Sequence, residues 1–152
     1  MGVSFERKGS LKDAAEASKS AFKINPNIPE MNFNLGAILF SENKVEEAIK
    51  FYEKSIQLNN SFPEAHFNLG IAFQSAGRFD DAIQCYQKAI QIQPGFFEAI
   101  TNMGTIKQLQ GHLDEAADFF KKSLSIREDG RGHYNLANVL RNQGNLSTSI
   151  NH

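Results

Sequence analysis

The sequence predicts an all-α fold built from tandem helix-turn-helix units, and three ladders of small residues in one phase predict it. Gly2, Gly36, Gly70 and Gly104 are spaced by 34, and Ala137 follows after 33. A second ladder of Gly9, Asn43, Gly77, Gly111 and Gly144 keeps the same spacings, and its one exception is asparagine, the other residue that tolerates the left-handed conformation ending a helix. A third, Ala14, Ala48, Ala82, Ala116 and Ser149, holds only small side chains, as close helix contact requires. Self-similarity at such a period marks a repeat architecture.

Each unit reads as two helices. Leu35, Ile38 and Leu39, then Val45, Ala48, Ile49, Tyr52 and Ile56, recur at intervals of three and four, which is helical rather than alternating spacing. The phase divides the single array into a partial repeat at 1–28, full repeats at 29–62, 63–96 and 97–129, and a partial repeat at 130–152. Residues 1–28 are expected to open partway through a first helix and turn at Gly9, and 130–152 to turn at Gly144 and stop early in a second helix. The chain therefore reads as a fragment of a longer repeat protein, since natural arrays end in polar capping helices and neither end carries one. Each second helix opens on acidic pairs, Glu46 and Glu47, Asp80 and Asp81, Asp114 and Glu115, which suit the positive end of a helix dipole. Pro26 and Pro94 close two of the second helices, while Asn60 and Glu128 occupy that position in the others.

The 152 residues suffice for one ordinary core or one continuous stack. With 16 Lys and Arg against 17 Asp and Glu, the formal charge of −1 gives no global field for nucleic acid or an anionic membrane. Hydrophobic residues at 41% and charged ones at 22% place the chain among globular proteins rather than disordered ones. Cys85 is the single cysteine, so no internal disulfide or multi-cysteine metal site arises. Glu6, Arg7 and Lys8 stand where a signal peptide needs an apolar run, and no stretch of 18 apolar residues occurs, which makes the expected location cytoplasmic.

The repeat resembles the tetratricopeptide repeat. In the unit 63–96 the eight signature positions carry His66, Leu69, Gly70, Phe73, Ala82, Tyr86, Ala89 and Pro94, with histidine replacing the usual tryptophan. Looser matches in the same register are Asn32, Leu35, Gly36, Leu39, Ala48, Tyr52, Ser55 and Asn60, then Ile100, Met103, Gly104, Lys107, Ala116, Phe120, Ser123 and Glu128. The resemblance implies a right-handed α-solenoid, a superhelix whose first helices line a concave groove.

Few residues suggest catalysis. His66, His112, His133 and His152 show no metal-ligand spacing, and His66 and His133 occupy the packing position. Cys85 has Lys88 as its one cation at helical spacing, opposed by Asp81, and no histidine partner. Gly130-Arg131-Gly132 lacks the strand and further residues of a phosphate loop. The recurring acidic pairs are what dipole compensation alone predicts. Asn59-Asn60-Ser61 and Asn145-Leu146-Ser147 match the glycosylation pattern, which is silent without secretion. The 13 Phe mostly hold core registers. The sequence is thus read as non-enzymatic, with no metal or other cofactor.

One ladder has no structural need. Asn34, Asn68, Asn102 and Asn135, spaced by 34, 34 and 33, precede the Leu-Gly position on the first helices, although asparagine is a poor helix former that adds no apolar area. An amide carries both a donor and an acceptor and can pair with the peptide unit of an extended ligand. The ladder resembles that lining the superhelix of O-linked N-acetylglucosamine transferases, which implies contact with extended polypeptide. The alternative is that the asparagines join neighbouring repeats by amide hydrogen bonds, and the two roles are compatible. Phe33, Phe67, Thr101 and Tyr134 precede them; Ala37, Ile71, Thr105 and Asn138 follow three later; Phe40, Gln74, Gln108 and Arg141 lie one turn further. This surface is neutral, amide-rich and partly aromatic. Repeat domains of the carboxylate-clamp type use cations where this chain has Phe33 and Ala37, so that specificity is not expected. Glu30, Glu64 and Glu98 give way to Arg131, a polarity along the groove.

The expected function is a protein-interaction scaffold whose groove binds an extended polypeptide segment. The peptide-binding residues are Asn34, Asn68, Asn102 and Asn135 with Phe33, Phe67, Thr101, Tyr134, Ile71 and Asn138, and the partner is a protein or peptide rather than nucleic acid or membrane. Two alternatives are a substrate-presenting arm of a larger transferase whose catalytic domain is absent, and a scaffold that self-assembles end to end through apolar faces around Val3, Phe5, Leu146 and Ile150.

Overall fold

A computed structural model describes the backbone of residues 2–128 and 130–150 and the side chains of residues 12–128 and 130–144. The regular structure of the described residues is helical throughout: α1 (Gly2–Ile24), α2 (Pro29–Ser41), α3 (Val45–Leu58), α4 (Pro63–Ser75), α5 (Phe79–Ile92), α6 (Phe97–Leu109), α7 (Leu113–Ile126) and α8 (Gly130–Ile150). The fold class is the all-α helical solenoid that the sequence predicts. The chain divides into two compact units, Met1–Arg78 with α1 to α4 and Phe79–His152 with α5 to α8.

In the first unit the glycine and small-residue ladders explain the hairpin α2–α3. A Cβ on Gly36 would lie 2.8 Å from the Tyr52 ring, so α3 approaches α2 only because residue 36 has no side chain. Ala48 is fully buried in the same contact, and the Ser55 hydroxyl donates to the Pro29 carbonyl at 2.8 Å, tying the end of α3 to the start of α2. The turn between them is closed by Asn43 at φ +64°, with the Lys44 amide donating to the Leu39 carbonyl at 2.9 Å. Gly77 at φ +79° ends α4 in the same way, its successor Arg78 donating its amide to the Phe73 carbonyl and laying its guanidinium 4.4 Å from the Phe73 ring centre.

The usual tryptophan position has a local explanation. Asn32 donates Nδ2 to the Pro26 and Ile28 carbonyls at 2.9 and 2.8 Å. His66 sets Nε2 2.9 Å from the Asn60 carbonyl, again six residues back. Each side chain fastens the connection that leads into its own helix, and both are buried.

The second unit repeats the hairpin as α6–α7. A Cβ on Gly104 would meet the Phe120 ring at 2.7 Å, Ala116 is fully buried, and Gly111 at φ +84° closes the turn with the His112 amide donating to the Lys107 carbonyl at 2.9 Å. Ala116, Ala117 and Phe120 pack with Val139 of α8, flanked by Leu113 and Leu136.

The two ends depart from the expected hairpins. α1 runs unbroken through Gly9 and α8 unbroken through Gly144, so neither expected turn forms. Continuing a helix through either position costs only the glycine's propensity of about 1 kcal/mol. With no first helix folded back on it, Ala14 is exposed, and Ala15 is buried instead. The side chain of Ser149, and those of Val3, Phe5, Leu146 and Ile150 invoked for end-to-end stacking, lie outside the described residues.

Candidate functional site

The four asparagines sit on α2, α4, α6 and α8, the first helix of each repeat. Asn34 is exposed, whereas Asn68, Asn102 and Asn135 are half-buried. They differ also in the residue sixteen positions earlier. For Asn68 and Asn102 that residue is a tyrosine, Tyr52 and Tyr86, and its buried phenol carries a hydrogen bond to the asparagine amide. Asn102 donates Nδ2 to the Tyr86 hydroxyl at 3.4 Å. The bond ties α6 to α5 within the second unit, as Asn68 ties α4 to α3 within the first. Ser18 precedes Asn34 by the same sixteen positions, and the one-residue contraction of the last full repeat leaves Phe120 before Asn135, so neither of these has a phenol in register.

Burial dominates the chemistry of both phenols. It pushes the Tyr52 hydroxyl up to about 12, against the opposing pull of the Asn68 amide, which favours the phenolate by donating to it. It raises Tyr86 further, with the Asn102 amide opposing and Cys85 adding to the rise. Both therefore stay neutral at physiological pH. Each phenol uses one amide proton of its asparagine and orients the rest of the group. An amide so held still has a second N–H and a carbonyl oxygen with free valence, the donor and acceptor that one peptide unit needs.

The flanking positions separate into two groups. Phe33 packs inward, its ring centre 5.9 Å from Tyr52 and 5.0 Å from Phe62. Thr101 is buried and its hydroxyl is spent, 2.5 Å from the Ser123 hydroxyl and 2.9 Å from the Phe97 carbonyl that accepts from it. Thr101 is thereby turned toward α7, and Phe33 leans on Tyr52 and Phe62. Phe67, Ile71 and Asn138 are half-buried, and Asn138 accepts a hydrogen bond from Arg141. Tyr134, at the same register as Phe33 and Thr101, is 67% exposed. Thr105 spends its hydroxyl on the Thr101 carbonyl at 3.1 Å.

From the sequence, Tyr52 and Tyr86 read as packing residues only. The register Ser18, Tyr52, Tyr86, Phe120 carries a signal of their partnership with the asparagines, since a phenol stands at only two of its four positions. Of the histidines, His112 precedes α7 and His133 lies 3.8 Å from the Glu128 carboxylate; His152 is outside the described residues. Among the described residues no group of three or more His, Cys, Asp or Glu is placed to hold a metal ion, and no helix is long and apolar enough to cross a membrane.

Tandem helical hairpins joined through glycine-against-ring contacts define a repeat class, and the comparisons with known proteins say which. Models described as tetratricopeptide repeat match residues 63–96 and 98–132, and one described as TPR repeat matches 36–77. The chain belongs to the tetratricopeptide repeat family. No curated protein matches it in sequence. Among solved structures it is similar to MamA, with 32% identity over 84% of this chain and 74% of that one and a TM-score of 0.75. The first tetratricopeptide domain of Spaghetti (RPAP3), solved with the HSP90 peptide SRMEEVD, shares the fold at 18% identity, covering 76% of this chain and 93% of that one with a TM-score of 0.73. Pseudomonas aeruginosa pilF shares it at 19% identity over 95% of this chain and 66% of that one, with a TM-score of 0.83. The repeats make the chain a protein-interaction scaffold.

Proposed function

We propose that this scaffold is noncatalytic and binds an extended segment of another polypeptide along its first helices, with the asparagine amides pairing to the ligand's peptide units. The observation that carries the reading is the phenol-held amide of Asn102, mirrored at Asn68: a polar group fixed by a buried partner and still able to donate and accept once more. Such an amide binds backbone with little loss of its own rotamer freedom, because the ordering was completed on folding. Asn34 and Asn135 add less preorganised contacts, and Phe67, Ile71, Tyr134 and Asn138 supply side-chain selectivity beside them. The peptide seen on the Spaghetti domain supports a peptide as the kind of ligand this fold accepts.

The test is an unbiased peptide-library selection on the whole chain and on Asn68→Ala with Asn102→Ala, with circular dichroism on both. Binding reduced by at least about tenfold, at unchanged helicity and melting, supports the reading, since each lost amide pair removes about 1 kcal/mol or more. Unchanged binding overturns it. A companion pair, Tyr52→Phe with Tyr86→Phe, keeps the asparagines and removes what orients them, and a smaller loss of about threefold is expected.

A further inference from the structure

A second site lies on the other side of α2. Asn32 and Asn34 are two residues apart, about 200° around the helix, so the buried amide of Asn32 faces away from the exposed amide of Asn34. Asn32 lines a cleft of about 390 Å³ between α1, α2 and α3 within the first unit. The walls are the rings of Phe22 and Phe51, which meet edge to face at 5.6 Å, and the rim carries Lys50 and Lys54. A neighbouring cleft of about 370 Å³ shares the same two rings and is floored by Leu35, Ile38 and Leu39, so the apolar surface continues beyond the first opening.

Three features of this cleft ask for a ligand with an anionic end. Asn32 is 1% exposed, and while its Nδ2 donates twice, its Oδ1 has no hydrogen-bond donor among the described residues. A buried acceptor left without a donor is costly, and a donor that reaches it recovers that cost. Lys50 and Lys54 stand one turn apart on α3, a like-charge spacing that is unfavourable by itself. Neither takes part in any ion pair among the described residues. The corresponding positions of the second unit, 68 residues on, carry Ile100, Asp118 and Lys122, so the amide and the doubled positive charge belong to the first unit alone.

We propose that the cleft of Phe22, Asn32, Lys50, Phe51 and Lys54 is a peptide-docking site that takes an apolar side chain followed by acidic side chains of another polypeptide. The apolar side chain lies against Phe22 and Phe51. The carboxylates reach Lys50 and Lys54, whose repulsion they relieve, and a backbone N–H of the ligand meets Asn32 Oδ1 as the two rings part slightly. This site does not depend on the asparagine ladder.

The test titrates the 152-residue chain with acetyl-Phe-Leu-Glu-Glu-amide, following backbone amide shifts by NMR. Glutamine and lysine versions of the peptide serve as controls. The acidic peptide is expected to bind at least about fivefold more tightly than the glutamine one, with added salt narrowing the gap. Lys50→Glu with Lys54→Glu should invert the preference toward the lysine peptide. Asn32→His, the residue found in register at His66, keeps the bond to the connecting loop and replaces the Oδ1 acceptor by a ring nitrogen set at a different place; it should weaken the acidic peptide by about threefold without changing the order. Equal affinity for the three peptides, an order that survives charge reversal, absence of saturable binding, or shifts confined to residues away from α1 and α3 would each overturn the proposal. Asn68→Ala with Asn102→Ala should leave this titration unchanged, which separates its failure from failure of the ladder.

Discussion

The hairpin α2–α3 of the first unit and the hairpin α6–α7 of the second are two answers to one packing problem. Both put glycine under an aromatic ring, Gly36 under Tyr52 and Gly104 under Phe120, at nearly the same separation. Both tie the second helix back to the first residue of the hairpin, Ser55 to Pro29 and Ser123 to Phe97. Around this shared frame the chemistry diverges. Phe33 stacks on Phe62 where Thr101 bonds Ser123, and Asn32 grips a loop carbonyl where Ile100 is simply buried. The ring at the centre carries a hydroxyl bonded to Asn68 in one hairpin and none in the other. Contacts between the two helices of a hairpin fix the frame, and positions one residue off that seam are free to differ.

The largest effects should show that the ring is frame in both hairpins. Tyr52→Ala and Phe120→Ala each empty a site that is at most 2% exposed, and each should cost about 3–5 kcal/mol in urea unfolding. Similar losses sustain the equivalence of the two hairpins. A large loss at one and a small loss at the other would mean that one is held together differently.

Alkaline pH should then separate the two rings by the hydroxyl alone. The Tyr52 phenol ionises near 10 when unfolded and near 12 when folded, so its stabilising contribution is fully present below pH 10 and is lost as pH rises toward 12. The loss amounts to about 2–3 kcal/mol. Thermal melts between pH 9 and 12 should fall less steeply in Tyr52→Phe than in the parent chain, and Tyr86→Phe should flatten them again because that phenol is raised from the same cause. Phe120→Leu, which removes a ring without a hydroxyl, should lower the melting temperature while leaving the alkaline slope intact.

A smaller effect tests the glycines of the seam. Gly36→Ala and Gly104→Ala gain about 1 kcal/mol of helix propensity but push a methyl group to within 3 Å of a buried ring, and the net loss should be about 1–2 kcal/mol by thermal melting. Stabilisation instead would mean that the ring moves aside freely.

Much of this was legible in the sequence, because the frame repeats and repetition multiplies weak signals. The three small-residue ladders implied the hairpins, and the αL turns at Asn43, Gly77 and Gly111 are where the glycine-like register put them. The candidate site was less legible. Which way Thr101 points depends on Ser123, 22 residues later, and the link from Asn102 to Tyr86 depends on how one hairpin leans on its neighbour. Neither has a local signature. The unbroken helices at Gly9 and Gly144 show that a place in the period does not by itself make a turn.

Gly144 puts that last point to a measurement. It has the phase of Gly77 and Gly111, yet it lies inside α8, and a Cβ built on it meets nothing within 4 Å. If helix continuation governs, Gly144→Ala should stabilise α8 by up to about 1 kcal/mol and raise helical ellipticity slightly. At Gly111, with φ +84°, the same substitution should instead destabilise, since alanine resists the left-handed region. Opposite signs at two positions of one ladder would show that the turn is made by the hairpin around the glycine. Loss of stability at both would restore a turn at Gly144, with α8 ending before it.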